Sequence, residues 1–387
     1  MSNSMSQGRS AGIVGGGIGG LAAAIALRND GWQVTVYERA QEFTEVGAGI
    51  SLFPNAITAL DALGVGAALR AAGVGEAPGE IRNAAGRVLF TRWAKPLTGG
   101  FTVLHRADLI SLLVQALPGD CLRPGSTVED VDLDGTLRIG GETVRHDLIV
   151  GADGVHSAIR QRLWPGDTAV RRTGITTWRG VLDTPVSGFA GGIVGVHAEF
   201  GVLPMSGGRT YFFAAAQPGF DSFDHFAEWA SPVPEVLAAA DPERILRDEF
   251  LEVPVPRTLA VGKVALVGDS AHAMRPELGQ GAAMALEDAV TLAAHAPDLR
   301  AYSKARRRRV QAVSWMSRQA TRNNMPNSRW RAAVRDVGAR AVPEGLALAP
   351  TSRLFRWRAP APTPTDAATM PKAAHPTVEP LATSRRP

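Results

Sequence analysis

The period of apolar residues changes twice within the first forty positions. Ala11-Gly12-Ile13-Val14 is a short unbroken apolar run, the pattern of a parallel strand buried on both faces. Leu21-Ala22-Ala23-Ala24-Ile25-Ala26-Leu27 predicts a helix, which Gly31 ends. Gln33-Val34-Thr35-Val36-Tyr37 then alternates polar with apolar, as a second strand does. Two later segments, His146 to Ala152 and Lys263 to Val267, are again buried-strand runs, and a helix through Ala282 to Asp288 follows the second. Ile193 to Val202 and Arg209 to Ala216 are apolar, β-rich runs parted by the turn residues Pro204, Ser206, Gly207 and Gly208. Ser231-Pro232-Val233-Pro234 precedes a helical stretch from Glu235 to Ala239, and Leu299 to Asn324 reads as a long basic helix. Strands alternating with helices predict an α/β fold.

The turns between these elements carry the chemistry. Gly15, Gly17 and Gly20, with Ile18 among them, form GxGxxG between the first strand and the first helix. Gly15 makes the tight turn, Gly17 admits a pyrophosphate to the backbone, and Gly20 lets helix and strand pack closely. The helix N-terminus offers free N–H groups and a partial positive charge to the phosphates. Glu38, followed by Arg39, ends the second strand where an acid can bind ribose hydroxyls. An acid there disfavours a ribose phosphate, so this site takes NAD or FAD and not NADP. The run from His146 ends in Asp153-Gly154, and the run from Lys263 ends in Gly268-Asp269. Pro276, Gly279, Gln280, Gly281 and Ala282 follow the latter. A strand-to-helix junction with a glycine-rich N-terminus and an acid beside it suits a ribityl chain and the edge of an isoalloxazine ring.

In this order the motifs resemble the GxGxxG, Asp-Gly and Gly-Asp fingerprints of the class A flavoprotein monooxygenases, the family of para-hydroxybenzoate hydroxylase, salicylate hydroxylase and FAD-dependent urate hydroxylase. Glu45 to Ile50 with Pro54-Asn55, Leu104 to Leu109, and Thr177-Trp178-Arg179-Gly180 are similar to the family as well. The resemblance implies FAD as cofactor, bound by Gly15, Gly17, Ile18, Gly20, Glu38, Arg39, Arg106, Asp153, Asp269, Gly279, Gly281 and Ala282. Glu38 would hold the adenosine ribose, Arg106 the pyrophosphate region and Asp269 the ribityl chain, while Asp153 would help hold FAD and influence the reductant. Pro276 would lie near the reacting edge of the ring. Ala283 departs from the pattern, since many relatives carry Asn there.

The implied cycle uses NADH or NADPH as a transient reductant and dioxygen to form a flavin hydroperoxide. A small aromatic, heteroaromatic or polycyclic substrate then attacks its distal oxygen. Leu203 to Tyr211 looks like the corresponding stretch of urate hydroxylases, which implies that Arg209 steers or polarises an anionic substrate. Tyr211, Trp178 and His197 are candidate pocket residues, although aromatic residues in strands are more often core. Arg209, Pro276 and Tyr211 are the expected catalytic group, and His272 is expected to position backbone. Three alternatives stay open: epoxidation or another tailoring oxygenation of a natural product, a flavin dehydrogenase or reductase without oxygen insertion, and a flavin-binding protein without catalysis.

At 387 residues the chain exceeds a single core, so two closely joined domains are expected. A Rossmann-like, discontinuous FAD-binding domain is expected over 1–75, 98–180 and 258–330, with an inserted antiparallel-sheet substrate domain over 76–97 and 181–257. A C-terminal helical segment, 331–358, leads to a tail, 359–387, rich in Pro, Ala and Thr; with few large apolar groups it is expected to be disordered. Lys+Arg 41 against Asp+Glu 37 leaves +4, too small an excess to argue for a polyanionic partner. The run Arg306 to Arg309 reads as a solvated helix face, and no reading motif accompanies it, so nucleic acid is not an expected partner. Cys121 is the single cysteine, which excludes an internal disulfide and fits a reducing cytoplasm. The apolar stretch from Ala11 to Leu27 is glycine-rich and runs into a strand, so neither secretion nor membrane insertion is expected. A monomer or homodimer acting on a small molecule and dioxygen is the resulting expectation. With no second GxGxxG unit and no histidine cluster, a flavin alone must accept the hydride and activate dioxygen.

Overall fold

The computed structural model describes residues 8–44, 48–72, 74–75, 79–91, 101–166, 168–186, 188–220, 222–342 and 352–361. The buried runs found in the sequence pair with one another. Ser10–Val14 lies between Gln33–Tyr37 and Leu148–Gly151, parallel to both, and Val264–Leu266 adds in parallel beyond Leu148–Gly151. Leu122–Arg123 and the antiparallel Ala260–Val261 complete a six-stranded sheet. Val14 is in register with Gly151, and Gly151 with Leu266, so the three motif turns leave the sheet from one edge. In an open parallel sheet that edge is where ligands bind. Helix Ile18–Asn29 buries every residue from Gly20 to Leu27. Its small side chains allow a close crossing with helix Gly281–His295: a Cβ on Gly19 would stand 3.3 Å from the Ala285 Cβ.

A seven-stranded sheet stands apart from this one, in the order Leu246–Glu252, Arg171–Leu182, Thr210–Ala216, Ala198–Pro204, Gly191–Val194, Glu80–Asn83, Val88–Thr91. Three expectations change here. The sheet is mixed rather than antiparallel, because Gly191–Val194 runs parallel to Glu80–Asn83. The whole strand Arg171–Leu182 belongs to it, paired on both sides, so the chain crosses between the sheets before residue 180. The apolar run Ile193 to Val202 is a hairpin, broken where His197 takes φ 63° and the Gly195 N–H reaches the Ala198 carbonyl. Trp178, Phe200, Phe212 and Phe226 form the center of a second apolar core on this sheet. Trp178 therefore packs as core, and His197 stacks on Phe220 with 4.3 Å between ring centroids. The C-terminal segment holds helix Arg329–Ala341 and a short turn of helix at 352–355. The expected disordered tail lies, from residue 362 onward, outside the described residues, as do Glu45, Val46 and Gly47.

The arginine run is the largest revision. On helix Leu299–Asn324, Tyr302, Arg306, Val310, Val313, Ser317 and Thr321 share the buried face, so helical spacing carries Arg306 inward. Its Nε donates to Asp288 Oδ1 and its Nη1 to Glu287 Oε2, both at 2.6 Å. Arg309 also binds Glu287, and Arg307 donates to the Pro256 carbonyl, which leaves Arg308 as the exposed member. Asp288 Oδ2 accepts from the Gly268 N–H at 3.0 Å and from His272 at 2.5 Å. Burial raises the Asp288 pKa, but the charges of His272 and Arg306 outweigh it and the net shift is downward, so the carboxylate stays ionised. Glu287 Oε1 accepts from Asn55 Nδ2 at 2.8 Å, and Asn55 also donates to Gln280.

No helix among the described residues is long and apolar enough to cross a membrane, and no group of three or more metal-ligating side chains occurs among them. Replacing Arg306 with Ala takes one cation from each of two buried carboxylates, leaving Glu287 to Arg309 and Asp288 to His272, and should cost roughly 3–5 kcal/mol. Arg308→Ala should stay within about 0.5 kcal/mol. Urea denaturation of the two variants checks the difference; equal midpoints would contradict the pairing.

Candidate active site

One cavity of about 1190 Å³ runs from the edge of the parallel sheet to the face of the seven-stranded sheet. At its first end the glycines act as their spacing requires. Gly15 takes φ +108°, and a Cβ there would lie 2.3 Å from the Ala152 carbonyl oxygen. A Cβ on Gly20 would lie 1.9 Å from the Gly15 carbonyl oxygen, whereas Gly17 faces open space. Gly17 and Ile18, the start of the helix, line the cavity, so bare backbone N–H groups meet whatever occupies it. Glu38 is fixed against this turn, accepting from the Gly16 N–H at 2.6 Å and the Ala40 N–H at 2.8 Å. Arg39 beside it is exposed and off the cavity wall.

The second and third turns are clamped together by Arg160, a fully buried side chain. Its guanidinium donates to the carbonyls of Val155, Thr168 and Ser270, and Ser270 Oγ in turn contacts the Gly151 and Val267 carbonyls. Asp153 Oδ2 accepts from the Ile159 N–H, but its Oδ1 is sealed from solvent without a partner among the described residues. Asp153 itself is off the cavity wall, behind its neighbours Ala152, Gly154 and Val155, which line it. Asp269 is exposed to the cavity at the start of helix Asp269–His272. Arg106, at the start of helix Arg106–Gln115, also lines the wall.

At the far end Gly279 holds φ +61°, and a Cβ there would stand 2.8 Å from the Phe53 ring. Gly281 has nothing within 4 Å of its Cβ position, so the N-terminus of helix Gly281–His295 opens bare on the cavity beside Pro276 and Ala282. Gln280, the cap residue, makes no side-chain capping bond and spends its Oε1 on Asn55. Two bare helix N-termini, the Asp269 carboxylate exposed to the cavity and a glycine loop open to backbone approach fit FAD.

Beyond Pro276 the cavity meets the seven-stranded sheet, with Ile81, Phe90, Phe200, Leu203, Tyr211 and Phe213 on its wall. Tyr211 packs its ring on the Gly49 backbone, where a Cβ would come within 2.4 Å. Burial pushes its hydroxyl up to about 12, against the opposing charges of Arg179 and Arg106, so it remains a proton donor. Arg209 lies elsewhere. The left-handed Gly207 and Gly208, both at φ 72°, fold its turn back, and the guanidinium meets the Ser206 carbonyl and, at 3.8 Å, Asp108. Neither Arg209, Trp178 nor His197 is on the cavity wall.

Two wall residues escaped the sequence reading. Glu199 is buried and accepts from Asn324 Nδ2 at 2.8 Å. Glu277, in the turn after Pro276, has one oxygen against the Thr321 hydroxyl and the other, Oε2, sealed and without a partner among the described residues. The signal for Glu199 was a lone acid within the apolar strand Ala198–Pro204.

This fold and site define an FAD-dependent monooxygenase of the class A flavoprotein type. The chain belongs to the FAD-binding domain family, whose pattern matches residues 9–317. It is 36% identical to aurachin C monooxygenase/isomerase of Stigmatella aurantiaca, over 73% of this chain and 79% of that protein. It is 32% identical to the FAD-dependent urate hydroxylase of Klebsiella pneumoniae, over 73% of this chain and 80% of that protein. The structure of Klebsiella pneumoniae HpxO complexed with FAD and uric acid superposes with a TM-score of 0.81 at 28% identity, covering 90% of this chain and 96% of the other.

Asp269→Ala removes a carboxylate that can accept charge-assisted hydrogen bonds from bound flavin, each worth about 1.5–3 kcal/mol. FAD affinity should fall about ten- to a hundredfold with the melting of the flavin-free protein unchanged. Fluorescence titration of the stripped protein with FAD checks this; unaltered affinity would remove Asp269 from the cofactor site.

Proposed function

We propose that the protein hydroxylates a small, flat aromatic or heteroaromatic substrate in the apolar end of this cavity, using NADH or NADPH and dioxygen. The observation that carries the reading is the continuity of the cavity, from the glycine turn at Gly17 past Pro276 to the aromatic face of the seven-stranded sheet. Bound FAD supplies hydride acceptance and dioxygen activation. The residues of the chain supply the rest. Gly15, Gly17, Ile18 and Gly20 would seat the pyrophosphate together with Arg106, Glu38 the adenosine ribose, and Asp153, Asp269, Gly279, Gly281 and Ala282 the flavin half. Phe200, Leu203 and Phe213 exclude water from the reacting face, which limits wasted peroxide. Tyr211, still protonated, can donate a hydrogen bond to a ring oxygen.

The parallel-sheet portion is read as the cofactor domain and the seven-stranded portion as the substrate domain, with the crossing near residue 170. Cys121, free and buried, suits a reducing cytoplasm. The assembly is read as a monomer or homodimer.

Oxidation of NADH and of NADPH by the FAD-loaded enzyme should rise at least about tenfold with one class of aromatic compound, with little peroxide formed. Phenols, aromatic acids, purines and neutral N-heterocycles make up the panel. Fast oxidation indifferent to every compound would favor a flavin reductase instead.

A further inference from the structure

Helix Arg329–Ala341 has its faces reversed. The side turned to the protein carries Ala332, Arg335, Asp336 and Ala339, and the side turned to solvent carries Trp330, Val334 and Val337. Trp330 is 64% exposed, Val334 61% and Val337 67%. With Ala341 they recur at helical spacing, so they form one apolar stripe along the outside of the helix. The inward face is committed to polar bonds. The Arg335 guanidinium donates to the carbonyls of Val194, Gly195 and Asn324 and pairs with Asp336. Asp336 accepts from Asn83 Nδ2 at 2.7 Å, on a strand of the seven-stranded sheet. The helix cannot roll its stripe inward without breaking these bonds.

Charge decides what can cover the stripe. At about 100° per residue, Arg331 falls on one edge of it and Arg329 and Arg340 on the other. All three are exposed, and the Arg331 guanidinium lies over the Trp330 ring, 5.4 Å from its centroid. Asp336, the only acid of the helix, faces inward. A second copy set stripe to stripe would crowd three arginines of each chain together, with no outward acid of the helix to answer them. An anionic lipid surface answers both properties: its phosphates accept from the arginines, and its acyl boundary takes up the tryptophan and valines. Tryptophan is favored at that boundary because its ring is apolar and its N–H is not.

We propose that helix Arg329–Ala341 docks the protein on an anionic lipid surface, lying in the interface with Trp330, Val334 and Val337 at the acyl boundary. Its 13 residues make it about 20 Å long, shorter than the roughly 30 Å of a hydrocarbon core, so it lies on the membrane and does not cross it. Arg335, on the opposite side of the same helix, lines the cavity. Docking therefore holds that part of the cavity wall about one helix diameter, ~10 Å, from the lipid.

Co-sedimentation of the full FAD-loaded chain with vesicles tests this, using phosphatidylcholine alone or mixed equally with phosphatidylglycerol. The wild type should bind the mixed vesicles at least about tenfold more tightly than the phosphatidylcholine vesicles. The double variant Trp330→Ser, Val337→Ser keeps every charge and should bind the mixed vesicles at least about tenfold more weakly. Its FAD affinity and thermal melting should not change, because both side chains are exposed. Replacing Arg329, Arg331 and Arg340 with Gln should erase the preference for anionic lipid. Wild-type binding to neither vesicle, or to both equally, overturns the proposal without recourse to any variant. Binding that survives the serine substitutions also overturns it, since general attraction of a +4 chain to anionic lipid would then suffice. Sedimentation velocity without lipid reads the competing occupant. Wild type and serine variant should sediment alike, whereas a dimer that the serines dissociate would place a second copy on the stripe and overturn the lipid assignment.

Discussion

Burying Asp288 and Glu287 beneath the flavin end of the cavity is the constraint on which the site depends. A carboxylate removed from water must find cations and N–H donors in fixed geometry, or it protonates or the structure opens. Here Arg306 answers both acids, Arg309 answers Glu287, and His272 and the Gly268 N–H answer Asp288. The two arginines come from helix Leu299–Asn324 and the other two groups from the turn Gly268 to His272. The Gly268–Asp269 turn, helix Pro54–Ala62 through Asn55, helix Gly281–His295 and helix Leu299–Asn324 are thereby locked into one arrangement. Arg309 extends the cluster to the Leu354 carbonyl near the C-terminal end of the described chain.

The two ends of the cavity are built by different physics. The nucleotide end is steric: Gly15 and Gly20 occupy positions where a Cβ would overlap carbonyl oxygens, and the open Gly17 is left for a ligand. The ring end is electrostatic, since its bare helix N-terminus and the Asp269 turn are held in place by the buried acids. Between them Phe53, stacked on Phe355 at 4.6 Å, packs against Gly279 and shapes the loop that separates cofactor from chamber. The seven-stranded sheet then supplies a mixed wall, apolar at Ile81, Phe90, Phe200, Leu203 and Phe213 and polar at Glu199, Tyr211, Thr177, Arg179, Asp248 and Glu249.

The nucleotide end was legible in the sequence because its determinants are local. GxGxxG, its flanking strand and helix, and Glu38 all lie within thirty residues, and backbone sterics dictate them. Asp153 and Asp269 were legible by repetition of the same strand-to-turn pattern. Arg306 was not, because four consecutive arginines read as a solvated face until the partners of one of them, distant in sequence, are known. For Arg209, its place in a strand-flanking turn was visible, but the fold-back set by Gly207 and Gly208, which turns its guanidinium to the Ser206 carbonyl, was not. Glu199 and Glu277 meet only because a strand of one sheet is packed against a turn of the other, a fact that no spacing along the chain records.

The central claim is that this one cavity brings flavin and an aromatic ring together so that one atom of dioxygen enters the ring. Mass spectrometry of the product formed under heavy-isotope dioxygen tests it most directly, with whichever aromatic compound stimulates turnover. The account predicts one heavy oxygen atom in each product molecule and none when the label is in water instead. A product that gains no oxygen, or gains it from water, would contradict the account.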